Sequence, residues 1–160
     1  MRILAVDPGT TQSAFVFLDG ERILDKGLVA NERLEELLTG VRFTPADLWV
    51  IEKIQCFGMV VSESIFETVY WTGRFAVAGG DKFYRIPRMP VKIHFCHSSR
   101  AKDSNIIQSL KDRFEPDLLP RQRPKGILNG VRADEWQALA LAVYAGDNYG
   151  DERWRAELKK

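Results

Sequence analysis

Short apolar runs bounded by turn residues divide this chain into predicted strands and helices. The first run, residues 3–6, is apolar at every position, which is typical of a strand buried on both faces in the middle of an α/β sheet. The run ends on Asp7, and Pro8-Gly9 turns the chain immediately afterwards. A carboxylate at the end of a buried strand can open a turn or hold a cation, and this stretch alone favours neither interpretation.

The next segments predict two further strands and a helix. Residues 12–18 alternate weakly between apolar and polar, Asp19-Gly20 is a strong hairpin signal, and residues 22–28 form the returning strand. We therefore expect a three-stranded antiparallel meander with the first strand innermost. Asn31 is expected to cap a helix that ends at Gly40.

A second buried strand ends on a carboxylate in the same way as the first. Residues 48–51 are apolar, and Glu52 follows them directly. A helix between the two strands provides the crossover that makes strands parallel neighbours, and such neighbours would bring Asp7 and Glu52 to the same sheet edge. Pairing of Glu52 with Lys53 or another basic residue is the alternative, but the repeated pattern favours a shared site.

Helices dominate the rest of the chain. Residues 62–78 predict a long helix with a wide apolar face. The face could cover the sheet and also contact a second subunit, and core packing is the ordinary expectation. This face consists of Ile65, Phe66, Val69, Tyr70, Gly73, Ala76 and Val77. Residues 83–86 predict a strand, residues 104–114 predict a helix, and residues 91–95 suit either.

The last predicted helix, residues 132–144, carries Asp134 in its first turn. An acid at this position complements the helix dipole, which would by itself explain its presence. Because it is the third acid next to buried apolar sequence, it could instead complete a cluster with Asp7 and Glu52.

Composition limits the class of protein. The 160-residue chain is long enough for one domain with a substantial core. It contains no apolar run long enough to span a bilayer and no signal-peptide pattern, so we expect a cytoplasmic protein. Cys56 and Cys96 are accordingly expected to be free thiols. A zinc site with His94 and His97 is disfavoured because the adjacent Cys96 and His97 lack the usual paired spacing.

The charge is unevenly distributed, although the net charge is only +1. Residues 81–125 contain eleven Lys and Arg but only five Asp and Glu, which leaves the rest of the chain acidic. This asymmetry indicates a basic surface beside an acidic site, with a solvated charged face as the ordinary alternative. The candidates for contact with a polyanion are Arg100 and Lys102, before a helix N-terminus, and Arg121, Arg123 and Lys125, in a proline-rich loop.

The three acids predict metal-dependent chemistry. Carboxylates held together repel one another unless cations lie between them. Mg²⁺, or alternatively Mn²⁺, prefers such oxygen ligands and retains water for a substrate. Two ions roughly 4 Å apart can activate a water on one side of a phosphodiester and stabilise the leaving oxygen on the other. With a basic segment to hold the backbone, Asp7, Glu52 and Asp134 therefore predict a two-metal nuclease.

Three motifs occur in a characteristic order along the chain. They are Ile3-Leu-Ala-Val-Asp7-Pro-Gly9, Val50-Ile-Glu52 and Ala133-Asp134-x-x-x-Ala138-Leu139-Ala140-x-Ala142. Over about residues 2–146 this set resembles the RuvC-like Holliday junction resolvases. The turn Arg100-Ala-Lys102-Asp103-Ser104 is most similar to their phage-encoded branch.

The resemblance implies an α/β protein with an RNase H-like fold, whose five-stranded mixed sheet has three antiparallel strands followed by parallel strands and is flanked by helices. It implies a homodimer that nicks a four-way DNA junction symmetrically with divalent metal, in the host cytoplasm if phage-encoded. In the family an aromatic residue contacts the junction bases, and Phe57 is the candidate here, with a core role as the alternative. Residues 1–146 would form the nuclease domain and residues 147–160 a polar C-terminal tail.

The resemblance also assigns site residues. Asp7, Glu52 and Asp134 match three of the family's acids, whereas the fourth position, one helical turn after Asp134, holds Gln137. Glutamine offers a carbonyl oxygen but no charge. Glu135 is the alternative ligand, although it points about 100° around the helix from Asp134.

Three other functions remain open from the sequence. The Asp7-Pro-Gly9-Thr10-Thr11 turn also resembles the phosphate-binding turn of actin-like kinases and ATPases, but 160 residues cannot supply their two lobes. A related RNase H-like nuclease that trims ribosomal RNA precursors would share the metal acids and act on structured RNA. The glutamine at position 137 also leaves open a module that binds junctions and cleaves weakly.

Overall fold

The computed structural model describes residues 1–56, 58, 60–80, 82–119 and 126–158. Its strands are β1 (Arg2–Asp7), β2 (Gln12–Asp19), β3 (Arg22–Ala30), β4 (Leu48–Lys53) and β5 (Phe83–Pro87). They form one sheet in the order β3-β2-β1-β4-β5, with antiparallel pairing from β3 to β1 and parallel pairing from β1 to β5. The predicted five-stranded mixed sheet, with β1 in its centre, is therefore confirmed.

Helices lie on both faces of this sheet. They are α1 (Asn31–Thr39), α2 (Glu63–Ala78), α3 (Arg88–Cys96), α4 (Asp103–Phe114), α5 (Glu135–Asn148) and α6 (Glu152–Leu158). Residues 91–95 thus belong to a helix, and Pro90 lies in its first turn, where a missing N–H costs no helical hydrogen bond. Within the described ranges no helix is long and apolar enough to cross a membrane.

β1 separates two hydrophobic cores because its side chains alternate between the faces of the sheet. Ile3 and Ala5 pack into the core that contains α5, together with side chains of α3, α4 and α6. Leu4 and Val6 point the other way, into the core formed with α1 and α2. A strand covered on both faces has to be apolar at consecutive positions, which explains the uninterrupted run.

Asn31 does not cap α1, so this prediction is wrong. Its side chain is fully buried and makes no capping hydrogen bond. Asn31 Nδ2 donates to the Gly9 carbonyl at 3.1 Å, and Asn31 Oδ1 accepts from the Ser13 hydroxyl at 2.6 Å. A buried amide has to satisfy its polar atoms inside the protein, and this one does so by bracing the turn that follows β1.

The face of α2 that covers the sheet differs from the predicted one. The buried side chains of α2 are Trp71 and Phe75, and both pack into the core beside α1. Their large aromatic areas decide which side of the helix is covered, rather than the spacing of the smaller apolar residues. The exposed apolar side chains of α2 are Phe66, Val69, Tyr70 and Val77.

α5 builds most of one core, since residues 138–145 are all buried. α6 packs beside it through Trp154, which is buried and donates from Nε1 to the Tyr144 hydroxyl at 3.1 Å. The segment that we predicted as a polar tail therefore contains a helix anchored to the core. The division of the chain at residue 146 stays a prediction.

Candidate active site

Asp7 and Glu52 end neighbouring parallel strands at the same edge of the sheet. In the register of β1 and β4, Val6 lies beside Ile51, so the next residues of the two strands are also adjacent. Because side chains alternate along a strand, Asp7 and Glu52 point to the face that α5 covers. A direct interaction between the two carboxyl groups contributes to the pKa of each. The structure thus brings together two of the three predicted acids.

The pKa values of both carboxyl groups are raised. Burial raises the pKa of Asp7 well above its ordinary value, and the negative charge of Glu52 raises it further, while Arg88 opposes the shift. Burial also raises the pKa of Glu52, against the charge and the hydrogen bond of Arg88. Two buried carboxylates in contact repel each other when both are ionised. The pair therefore favours either a shared proton or a cation.

Arg88 is a third charged group at this edge that sequence analysis missed. Its guanidinium donates to Glu52 Oε2 at 3.0 Å and to Asp103 Oδ1 at 2.7 Å. Arg88 is the first residue of α3 and directly follows Pro87, the last residue of β5, which is the parallel neighbour of β4. Its position after a third parallel strand was the signal that could have found it. Asp103, the first residue of α4, was considered only as part of a basic turn.

A tight turn fixes the end of β1. A Cβ atom at Gly9 would lie 2.2 Å from the Gln12 carbonyl oxygen, so only glycine fits this turn without a backbone shift. The Gly9 N–H donates to Ser13 Oγ at 3.0 Å, and Ser13 is held by the buried Asn31. The Asp7 carboxyl is therefore carried between a central strand and a braced turn.

Asp134 immediately precedes α5 instead of lying in its first turn, and its side chain is exposed. Its negative charge raises the pKa of Asp7, so the two carboxylates lie within electrostatic range. Within the described part of the chain, however, no three Asp, Glu, His or Cys side chains lie close enough together to hold one metal ion. Asp7 and Glu52 interact directly, whereas Asp134 acts on Asp7 through its charge alone.

Glu135 is committed to a structural contact. Its carboxylate is almost fully buried and pairs with Lys26 of β3, with 3.0 Å between Nζ and Oε2. Lys26 Nζ also donates to the Gly130 carbonyl at 2.5 Å, and the Arg132 N–H donates to the Glu135 carboxylate at 3.0 Å. This clamp fixes the turn before α5 and with it the position of Asp134. Sequence analysis considered Glu135 only as an alternative ligand.

Two of the candidate DNA contacts can be located. Arg100 and Lys102 are exposed in the turn between α3 and α4. Asp103, which pairs with Arg88, comes next in the chain, so the basic turn adjoins the acidic pair. Phe57, Arg121, Arg123 and Lys125 lie outside the described residues.

The donor set at the sheet edge fits a hard divalent cation. Carboxylate oxygens are the ligands that Mg²⁺ and Mn²⁺ prefer. A cation between Asp7 and Glu52 would relieve the repulsion that contributes to the raised pKa of Asp7. The pair suits one such ion. The candidate ligands for a second ion are the acid Asp134 and the neutral Gln137.

The strand order is that of an RNase H-like fold. Two solved structures share this fold with the chain. Thermus thermophilus RuvC superposes with a TM-score of 0.69 and 17% identity, over 93% of this chain and 95% of that chain. T. thermophilus RuvC in complex with Holliday junction substrate superposes with a TM-score of 0.68 and 16% identity, over 91% and 93% respectively. No family model matches the chain, and no curated protein matches it significantly. The chain therefore has the RuvC-like fold that its motifs predicted.

Proposed function

We propose that this chain is a divalent-metal-dependent endonuclease that resolves four-way DNA junctions by paired nicks. The observation that carries the proposal is the contact between the Asp7 and Glu52 carboxyl groups at the carboxyl edge of β1 and β4. Ligands of open α/β sheets bind at this edge of the strands. The fold adds support, because one of the similar structures is a RuvC in complex with a Holliday junction substrate.

The acidic residues hold the reacting centre in this proposal. When bound, the metal would supply a polarised water and charge stabilisation at the phosphodiester. Asp7 and Glu52 would hold it from neighbouring strands, and Asp134 would add negative charge from the start of α5. The parallel pairing of β1 and β4 sets the backbone positions of the first two acids side by side.

The proposed enzyme is tested on labelled DNA of defined shape. Four-way junction, linear duplex and structured RNA are each incubated with the full chain in Mg²⁺, Mn²⁺ or EDTA. We expect metal-dependent nicks in pairs, placed symmetrically on two strands across the junction, and little cutting of the other two substrates. Equal cutting of plain duplex would refute junction selectivity, and cutting confined to RNA would identify an RNA-processing enzyme instead.

One observation favours a second candidate, a junction-binding module with weak cleavage. Glu52 is already paired with Arg88, and the position one turn after Asp134 carries the neutral Gln137. Both features weaken the attraction for metal. Tight, junction-selective binding without nicks in either metal would support this candidate over the enzyme.

Arg100 and Lys102 are proposed to contact DNA phosphates, together with Arg121, Arg123 and Lys125, while Phe57 remains our candidate for contact with the bases. We expect Arg100→Gln and Lys102→Gln to weaken junction binding and each to reduce the slope of log K against log salt by about one. Fluorescence anisotropy at several salt concentrations measures both quantities. Arg33→Gln is the matched control, because Arg33 lies on α1 across the sheet. An unchanged slope would exclude the phosphate contact.

We also propose that the chain acts as a homodimer that contacts its copy through α2. The apolar residues on the outer face of this helix are half-exposed or more, as Phe66 is at 65% and Val77 at 76%. They recur at helical spacing around Gly73, where no neighbouring atom would touch an added Cβ. Large exposed apolar faces mark interaction sites, and paired nicks require two active sites.

A charged side chain on this face should break the dimer. Val69 is 50% exposed in the middle of the face, and we expect Val69→Glu to convert a dimer into a monomer of unchanged fold. Light scattering coupled to size exclusion measures the mass. Val60→Glu is the control, because Val60 is 93% exposed but lies outside α2. If wild type and Val69→Glu have the same mass, α2 is not the subunit contact.

A further inference from the structure

Arg88 bridges two acids at the edge of the proposed active site. One guanidinium nitrogen donates to Glu52 Oε2 at 3.0 Å, and the other donates to Asp103 Oδ1 at 2.7 Å. The Glu52 side chain is 16% exposed, the Arg88 side chain 31% and the Asp103 side chain 55%. The bridge therefore runs from the buried acid pair outward to solvent.

The Glu52 oxygen cannot serve the guanidinium and a metal ion at full strength together. A divalent cation at Glu52 would carry two positive charges into contact with a third on Arg88, and like charges at this distance repel. Arg88 can leave Glu52 and still keep an ion-pair partner, because Asp103 accepts a hydrogen bond from its other nitrogen at the exposed end of the bridge. Arg100 and Lys102 lie in the turn directly before Asp103, so a released Arg88 would join a basic surface.

We propose that Arg88 is a built-in counterion that competes with divalent cations for Glu52 in the DNA-free protein, and that a DNA phosphate takes over its guanidinium. Cation binding and DNA binding then strengthen each other. A cation at Glu52 displaces Arg88 and frees its guanidinium for a DNA phosphate, and a phosphate that holds Arg88 frees Glu52 for the cation. Such coupling is reciprocal by thermodynamic necessity. The DNA part of this inference rests on the proposed function, whereas the competition at Glu52 does not.

The first test measures Mn²⁺ affinity of the DNA-free full chain by electron paramagnetic resonance of free Mn²⁺. We expect Arg88→Gln to bind Mn²⁺ roughly ten-fold more tightly than wild type, and Arg88→Lys to lie between them because one ammonium cannot bridge both acids in the same way. Arg85→Gln is the matched control, an exposed arginine on β5, and should equal wild type. Equal or weaker Mn²⁺ binding by Arg88→Gln overturns the inference.

The effect of Arg88→Gln can also be measured through the thermal stability of the protein. Arg88→Gln should be less stable than wild type in EDTA and should gain a larger increase in melting temperature from saturating Mn²⁺. If Arg88→Gln is unfolded in EDTA, refolding on addition of Mn²⁺ supports the inference, and failure to refold together with wild-type Mn²⁺ affinity in Arg88→Lys overturns it.

The second test measures coupling with DNA. The affinity of wild type for four-way junction is compared with and without saturating Mn²⁺, with cleavage followed in the same samples. We expect Mn²⁺ to tighten junction binding of wild type several-fold more than that of Arg88→Gln. Equal coupling in both proteins overturns the exchange of Arg88 onto DNA. If no junction is bound at all, the proposed function fails, while the Mn²⁺ affinities of the DNA-free proteins still decide the competition.

Discussion

Replacement of Asp7 by asparagine is expected to lower the rate of junction cleavage by on the order of 10³-fold while leaving junction binding intact or tighter. Asparagine keeps the size of the side chain and can hydrogen-bond to Glu52, but it carries no charge to hold a metal. The loss of one negative charge beside DNA phosphate favours binding. Cleavage is measured in Mg²⁺ and binding in EDTA on the same labelled junction.

Asp19→Asn is the matched control, because Asp19 ends β2 at the opposite edge of the sheet, beside Arg2. This variant should cleave at the wild-type rate. An Asp7→Asn protein that cleaves normally would falsify the assignment of the site.

Stability provides a separate check on Asp7. Its raised pKa means that, above the ordinary carboxyl pKa, the folded protein binds more protons than the unfolded chain, so ionisation of Asp7 costs stability as the pH rises. We therefore expect Asp7→Asn to be more stable than wild type in EDTA at neutral pH. The difference should vanish in acid below the ordinary carboxyl pKa, where Asp7 is protonated in both states. Thermal unfolding at several pH values measures it.

The pattern of the sequence was sufficient to predict how Asp7 and Glu52 meet. Both acids follow uninterrupted apolar runs, and such runs identify strands covered on both faces. The helix between them requires a crossover, which makes the strands parallel and brings their ends to one edge. These are local properties of consecutive residues, so they are visible in a single chain.

The hydrogen-bond and ion-pair partners of the polar residues around the site could not be predicted, because they depend on contacts between distant segments. Asn31 has a side chain that often caps a helix. Here its amide instead bonds to the buried Ser13 hydroxyl and to the Gly9 carbonyl. Glu135 resembles a first-turn acid that complements the helix dipole, but Lys26 meets it from 109 positions away in the chain. The position of a charged residue after a strand indicates the edge where it lies, but it does not specify which group it will pair with.

The second large effect is expected at Lys26, whose ammonium is the partner of the buried Glu135 carboxylate. Lys26→Met should lower the free energy of unfolding by about 3 kcal/mol, because removal of one partner leaves a charge on a side chain that is only 3% exposed. The Arg132 N–H would then be a remaining donor to that carboxylate. Urea unfolding measures the change, with Lys92→Met on α3 as the control for loss of a half-buried lysine.

Combining Lys26→Met with Glu135→Leu should restore most of this stability, because the double variant buries no unpaired charge. The double variant should nevertheless cleave junctions more slowly than wild type. Ala133, in the turn that the clamp holds, has a left-handed φ of 45°, which a non-glycine residue keeps only where its surroundings enforce it. Without the clamp the turn relaxes, and Asp134 moves with it. We expect a folded double variant whose kcat is roughly ten-fold below wild type at unchanged junction affinity; a wild-type kcat would show that Asp134 is positioned by other contacts.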